Sequence, residues 1–432
     1  MNIRSKLFGN AAIYLGANLL NAGIPFLLLP ILTRVLTPAD YGTVAMFGIV
    51  LSVLGAFTGL SVHGAIGVRY FQLERKELAE YVGACVWILV VSTALIFMLV
   101  ATFGSSLALI SGVPIDWLLV AVVLSGVQFL CNIRLSLWQI SGEAKKYGIF
   151  QISQSLLNAG FSLIFILMIG LAWQGRVLGQ ALAIVIFGIV AVRWLFKDGL
   201  FRKPRGWRAQ TLDALRFGVP LVPHVIGGLV ISTGGQFLVT NMLGVSETGL
   251  YVVGVQVGMA MGLVSDAFVK SYGPWLYEKL KDESITGRHF IVGITYCVFI
   301  VFLLLSGIFT VGVFLIFPFI VGDEFLQAKF LTPFFVFGNG FVGMYYAVAG
   351  FFFFTSKTKF VSIVTISSGI ISILSMWILG ETFGLKGISF GYLLSQVVMF
   401  MLAWVLSNFV HPMPWFQLRA AFSAVSSGGH SI

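Results

Sequence analysis

Charge is what this sequence most conspicuously has little of. Only 10% of its 432 residues are Asp, Glu, Lys or Arg, against roughly 25% in an ordinary soluble domain. Apolar residues make up 58% and aromatics 15%. A water-soluble globule is thereby excluded, since too few polar side chains remain to cover its surface. Cysteine is scarce as well. Cys85, Cys131 and Cys297 are odd in number, far apart and each set in an apolar stretch. That excludes a disulfide framework or a thiolate metal cluster and leaves them as packing residues. Catalytic signatures are scarce: HExxH and P-loop patterns do not occur. The match to G-x-G-x-x-G, GNGFVG at 338–343, lies in an apolar run with no βαβ unit around it, so helix packing accounts for it. The expectation is a protein that is not an enzyme, with no cofactor and no metal site.

What the chain does have is a series of apolar stretches of about 20 residues, the length that crosses a hydrocarbon core of roughly 30 Å. They predict helices over 10–33, 42–68, 81–103, 115–138, 147–170, 176–196, 213–240, 249–271, 290–317, 328–354, 360–380 and 385–408. The short alternating segments of a membrane β-barrel are not seen. The opening MNIRSK and the apolar run to Leu32 are too long for a signal-peptide core and lack a small-residue cleavage site, so they read as a retained first span. The fold class expected is an all-α polytopic membrane protein with twelve transmembrane helices.

The cations are unevenly placed. Of the 26 Lys and Arg residues, only Arg34, Arg176, Lys329 and Lys386 fall on one side of the predicted spans. The rest fall on the other, which the positive-inside rule makes cytoplasmic, with both termini. The formal net charge of +10 therefore reports topology and contact with anionic membrane lipids, and no nucleic-acid partner is expected.

An internal repeat divides the chain. LTRVLTPADYG at 32–42 returns as VTNMLGVSETG at 239–249, with Thr33, Leu36, Asp40 and Gly42 aligned on Thr240, Leu243, Glu247 and Gly249 at an offset of 207 residues. GEAKKYG at 142–148 is echoed by TSKTKFV at 355–361. The domains expected are two six-helix lobes, 1–196 and 213–408, related by a parallel repeat and joined by a basic cytoplasmic connector at 197–212, with a tail at 409–432. That tail is too polar to span and is expected on the surface or disordered.

Polar residues inside the spans recur at helical spacing. In the first span they are Asn10, Tyr14, Asn18 and Asn21; in the fourth, Ser125, Gln128, Asn132 and Gln139; in the fifth, Gln151, Ser155, Asn158 and Ser162. Two readings stay open: hydrogen bonds that glue helices together, or a cavity wall whose amides suit sugar hydroxyls. Pro25 and Pro30 favour the cavity for the first span. The intramembrane ionisable residues are functional candidates. Arg69 and Arg134 sit toward the cytoplasmic ends of their spans, where a guanidinium can grip phosphate with two donors, or snorkel to lipid headgroups. Arg34 marks the exterior end. His224, beside Pro220 and Pro223 and roughly 16 Å into its span, is placed for proton exchange, with Asp266 and His63 as further candidates for ion coupling. Against these stand a histidine bonded to a nearby carbonyl and an Asp266–Lys270 pair one turn apart.

Beyond these readings, several pieces in order resemble the polysaccharide flippases of the multidrug/oligosaccharidyl-lipid/polysaccharide exporter superfamily. They are LTRVLTPADYG, GVRYFQ, GEAKKYGIFQ, FGVPLVPHVI, LGVSETGLY and VGDEFLQAKF, spread over nearly all of residues 1–408. The resemblance implies an O-antigen-type flippase of the bacterial inner membrane that moves undecaprenyl-pyrophosphate-linked oligosaccharide outward by alternating access. A polysaccharide polymerase and a chain-length regulator are the protein partners it suggests. One position departs: where many relatives carry an Asp-Arg pair late in the seventh span, this chain reads GGQFL, with Gly235 and Gln236. A multidrug or cation exporter of the same superfamily, a lipid II flippase and a membrane polysaccharide polymerase are the alternatives. The polymerase would be expected to carry a sizeable exterior loop with convergent charges, and the lipid II flippase two more helices than the twelve predicted.

Overall fold

The computed structural model describes residues 3–426 apart from Arg205, Glu283 and Thr358, with the side chains of residues 3–12 and Leu15 also left out. Of the sequence expectations, those on Arg4, Lys6, Asn10 and Arg205 fall outside the described residues. No strand occurs among the described residues. The helices are α1 (Ile3–Val35), α2 (Pro38–Phe57), α3 (His63–Arg69), α4 (Arg75–Ser111), α5 (Ile115–Ile140), α6 (Ala144–Leu167) and α7 (Trp173–Lys197). They continue as α8 (Trp207–Gly218), α9 (Val222–Leu243), α10 (Val245–Lys279), α11 (Ile285–Ile320), α12 (Thr332–Phe354), α13 (Lys359–Val410) and α14 (Leu418–Ser426). Eleven segments among the described residues are long and apolar enough to cross a membrane. One of them, α13, runs for 52 residues and is broken at Gly384 (φ 59°, ψ −138°). It is two spans back to back, so the twelve predicted crossings are all present.

Several boundaries differ from the sequence expectation; among them, the seventh predicted helix, 213–240, is interrupted between α8 and α9 by a 3-10 turn at Val219–Leu221. The second predicted helix, 42–68, is not continuous: Gly59, Leu60 and Ser61 all take positive φ (73°, 48° and 56°), and α3 begins only at His63. Backbone groups freed in a membrane must find partners inside the protein. Here the Gly59 N–H donates to Ser92 Oγ at 2.8 Å, and the Thr58 hydroxyl donates to Ser125 Oγ at 3.1 Å. Apolar periodicity carries no trace of such a break. The third predicted helix, 81–103, extends to Arg75–Ser111 because Glu74 and Glu77 form a capping box around its polar first turn. As far as Ser426 the tail is folded: α14 packs on α11, with His289 Nε2 and Gln417 Oε1 2.6 Å apart and the Tyr296 hydroxyl donating to the Trp415 carbonyl at 2.8 Å.

The chain forms two compact units, Met1–Gly249 and Leu250–Ile432. The first contains the seventh span as well as the first six, because α9 packs on α2 while α8 packs on α3 and α4. In the second, Phe299, Phe302, Phe351, Phe400 and Trp415 make an aromatic core. The GNGFVG stretch lies in α12, where a side chain at Gly340 or Gly343 would collide with Ser306 or Phe302 of α11. Its glycines serve close helix packing.

The punctuated repeat has a local and a tertiary role. In the first copy Thr37 is the N-cap of α2: its hydroxyl accepts the Asp40 N–H at 3.1 Å, the Asp40 carboxylate accepts the Thr37 N–H at 3.1 Å, and Pro38 opens the helix. In the second copy Gly244 takes φ 97° and α10 begins at Val245. The two copies then meet within the first unit. A Cβ on Gly42 would penetrate the Val245 carbonyl oxygen, and one on Gly249 would penetrate the Pro38 carbonyl oxygen. Since Val245 aligns on Pro38 as Gly249 does on Gly42, the contact is reciprocal.

That contact predicts opposite outcomes at neighbouring glycines. Gly42→Ala or Gly249→Ala must push two backbones apart, an overpacking cost of about 1–3 kcal/mol, read as a lower melting temperature of the detergent-purified protein. Gly48→Ala, six residues along α2 with nothing within 4 Å of its added methyl, should leave melting unchanged or raise it, since alanine is the better helix former by about 1 kcal/mol. Equal melting of all three variants would dissolve the proposed contact.

Candidate functional site

The amide stripes of α1, α5 and α6 come together in the first unit. Asn21 on α1 accepts a short hydrogen bond from Ser155 on α6. Gln154 Nε2 on α6 donates to Gln128 Oε1 on α5 at 3.0 Å, and Gln128 Nε2 donates to Asn132 Oδ1 at 3.2 Å. Farther along α6, Asn158 Oδ1 and Ser162 Oγ accept from Arg176 Nη1 of α7 at 2.6 and 3.0 Å. These bonds join helices, while Asn18 remains exposed and Gln151 Oε1 is buried without a partner. The ladder therefore combines interhelical bonding with spare amide capacity. Gln154 and Arg176 were not singled out from the sequence. Gln154 sits three residues from Gln151 and could have been read from the same spacing. Arg176 could not, because nothing in a single sequence shows that α7 turns it toward α6.

Arg69 and Arg134 differ in what they have left to offer. Arg69 is fully engaged: Nε and Nη2 donate to the two Asp213 oxygens at 2.9 and 2.5 Å, Nη1 donates to Gln72, and the Tyr81 hydroxyl also donates to Asp213, at 2.8 Å. Arg134 is only partly engaged. Its residue is 2% exposed, Nη2 donates to Asp198 Oδ2 at 2.5 Å, and the guanidinium lies 4.2 Å from the centroid of the Trp138 ring. Nε and Nη1 are buried without a partner. A buried donor left unfilled costs about 1–3 kcal/mol, so this geometry favours an incoming acceptor. Arg134 lines a pocket of about 450 Å³ together with Arg75, Lys146, Glu143 and Asp198. Arg134 lies two residues past Asn132, about 200° round the helix, so it points away from the amide ladder. The two sets do not share one surface.

The remaining candidates are dispersed. Arg34 is exposed and donates from Nη1 to the Pro30 carbonyl of its own helix at 2.5 Å. His224 is exposed on the first turn of α9. Asp266 is exposed and forms no ion pair with Lys270. His63 is the distinctive one. It opens α3 directly after the left-handed break, stands edge-on to Phe129 with ring centroids 5.2 Å apart, and has Nδ1 buried without a partner. The break itself is pressed by the second interrupted span, since a side chain on Gly218, where α8 ends, would strike the Leu60 carbonyl.

Among the described residues no group of His, Cys, Asp and Glu could hold a metal ion. The connector is fastened by several of the residues above. Asp198 takes Arg134 on its carboxylate and Arg75 on its carbonyl at 2.6 Å, and the Arg202 N–H donates to the Ala79 carbonyl at 3.1 Å. Asp198 and Asp213 were missed by sequence reasoning, although each is an isolated acid in a markedly basic stretch, and that isolation was the available signal.

Comparison with known proteins agrees with this architecture. The chain is 24% identical over 382 residues to a Haemophilus influenzae protein of the Lsg locus, covering 86% of this chain and 90% of that one. It is 26% identical over 380 residues to an uncharacterized membrane protein of the same organism, covering 85% and 88%. Among solved structures it superposes on the lipid II flippase MurJ in an inward closed conformation with a TM-score of 0.63 at 12% identity, over 97% of this chain and 91% of that one. An inward-facing multidrug resistance MATE transporter of the MOP superfamily gives 0.58 at 16% identity, over 92% and 93%. These likenesses establish the two-lobe, twelve-helix fold of a multi-pass membrane protein. A family model described as polysaccharide biosynthesis protein matches residues 7–278, and the chain belongs to that family.

Proposed function

We propose that the protein is a flippase that carries an undecaprenyl-pyrophosphate-linked oligosaccharide, an O-antigen or related repeat unit, from the cytoplasmic to the outer leaflet by alternating access. The observation that carries this reading is Arg134: a buried guanidinium with two unfilled donors in a pocket that also holds Arg75 and Lys146. Three cations against Glu143 and Asp198 leave an excess of positive charge for a pyrophosphate, and a guanidinium can meet two of its oxygens at once. The amide ladder, on the other side of α5 from Arg134, offers donors and acceptors for sugar hydroxyls at a separate stretch of the transport path. It contains no carboxylate and one arginine, Arg176, which disfavours the cationic drug of a multidrug exporter. The polyprenyl tail stays in the bilayer throughout, and no covalent bond is made or broken.

Orientation follows from the Lys and Arg asymmetry, with the basic connector cytoplasmic. In a cysteine-free background, Leu109→Cys should react with an impermeant thiol reagent on intact spheroplasts and Arg208→Cys should not. Labelling of Arg208→Cys alone would invert the orientation.

The two arginines separate under substitution. Arg134→Ala should abolish surface polysaccharide at normal protein abundance, and Arg134→Lys should retain a fraction, because the charge survives while the paired donors do not. Arg69→Ala should mainly lower abundance, leaving transport per molecule within about twofold of wild type, since a pair one-third exposed contributes at most ~1 kcal/mol. Wild-type polysaccharide from Arg134→Ala would remove the binding role.

Ion coupling is assigned to His63, whose ring nitrogen is buried and unpartnered beside a break in its span. In proteoliposomes, His63→Gln should flip a labelled lipid-linked oligosaccharide at a rate insensitive to an imposed pH gradient, whereas His224→Gln and Asp266→Asn should keep the wild-type response. A retained response in His63→Gln would transfer the role elsewhere.

A further inference from the structure

The outer face of α4 carries two apolar grooves that the flippase reading does not use. The larger, about 540 Å³, is walled by Trp87, Val91 and Leu95 of α4 and by Trp207 and Leu215 of α8. The second, about 470 Å³, lies on the other side of Trp87 and is walled by Val86, Val90 and Phe201. Both end at one lip made by Lys203 and Pro204 of the connector, and Arg202 joins that lip from the second groove. Trp87 and Trp207 are 56% and 58% exposed, so the grooves open outward. Trp87, Val91 and Leu95 fall one turn apart on α4, so the larger groove runs about 12 Å along the helix from Trp87 to Leu95.

The lip is held in place by backbone. The Arg202 N–H donates to Ala79 of α4 at 3.1 Å, and the Arg202 carbonyl sits where a side chain on Gly83 would be. A flexible basic loop would only hover over the membrane surface. Here Arg202 and Lys203 are fixed at the top of two hydrocarbon-lined channels, with Glu80 as the lone carboxylate among the lining residues of this face.

We infer that this face binds one anionic diacyl phospholipid, its phosphate on Arg202 and Lys203 and one acyl chain on each side of Trp87. The pairing of grooves sets the ligand. A single polyprenyl chain would fill one and leave the other bare, whereas a diacyl lipid places two chains beneath one headgroup. The charge at the lip selects anionic over zwitterionic headgroups, and basic pockets between helices on the cytoplasmic side are a recognised form of such sites. The tryptophans suit the interfacial depth that a headgroup occupies. This site goes beyond the transport reading and does not rest on it.

Native mass spectrometry of the full chain in detergent tests the assignment, with dioleoylphosphatidylglycerol, dioleoylphosphatidylcholine and undecaprenyl phosphate each added. Wild type should retain one phosphatidylglycerol in preference to phosphatidylcholine. The exposed pair Arg202→Gln/Lys203→Gln should weaken that retention by about 30-fold, taking roughly fivefold for each cation, and Lys203→Glu alone should abolish the preference. Lys357→Gln, an exposed cation in the other unit, should leave retention unchanged. Equal retention of phosphatidylcholine by wild type, or unchanged phosphatidylglycerol binding in both lip variants, would overturn the site. Displacement of phosphatidylglycerol by undecaprenyl phosphate at lower concentration would overturn the diacyl assignment and give the grooves to the carrier lipid.

Discussion

Hydrocarbon offers no hydrogen bonds, and this single constraint organises the molecule. Helices answer it for nearly all of the backbone. The places that depart from a plain helix must recruit side chains, and those are the places where chemistry accumulates. Breaking the second span at Gly59–Ser61 requires Ser92 and Ser125 to complete the bonding. Leu60 and Ser61 there hold left-handed backbone angles, a conformation costing of order 1–3 kcal/mol at a non-glycine residue. Such strain survives where surrounding packing enforces it, and α8 supplies that pressure through Gly218. His63, left with an unpartnered nitrogen next to the break, is a product of the same compromise.

The basic connector illustrates how charge is handled under that constraint. Asp198 on it and Asp213 just after it on α8 draw Arg134 and Arg69 onto their carboxylates, Arg75 donates to the Asp198 carbonyl, and Arg202 is tied by its backbone to Ala79. Ion pairs one-third exposed add little stability alone, but several at fixed points set the position of a chain segment. The result is a strap on α4 that presents its remaining cations at one place. Arg134 stands apart because its burial is not matched by its bonding, whereas every guanidinium nitrogen of Arg69 has a partner.

Much of the architecture was legible in the sequence. Twelve apolar runs predict twelve crossings, and the repeat at 32–42 and 239–249 predicts corresponding helix starts. Asp40 and Pro38 turn out to build the cap of α2. The limits of that reading are physical. A break stabilised by hydroxyls from two other helices leaves no local signal, so residues 58–62 read as an unbroken span. Helix ends capped by Glu74 and Glu77 look polar and were placed outside the membrane helix. Helical spacing grouped Gln128 with Asn132, which are hydrogen-bonded, but spacing alone could not show that Arg134 faces the other way from Asn132. The polar tail was expected on the surface or disordered; the partners that fold it, His289 and Tyr296, lie more than a hundred residues upstream.

The reciprocal contact of the two repeat copies has a consequence for how such a chain can change over time. At most tight crossings a larger residue on one side can be matched by a smaller one opposite. Gly42 faces the carbonyl of Val245, and Gly249 faces the carbonyl of Pro38. A carbonyl belongs to every amino acid, so no exchange at position 245 or 38 makes room. Suppressors of a substituted glycine must arise elsewhere, in residues that let a whole helix rotate or slide, and the two copies of the repeated turn stay in backbone contact even where their side chains differ.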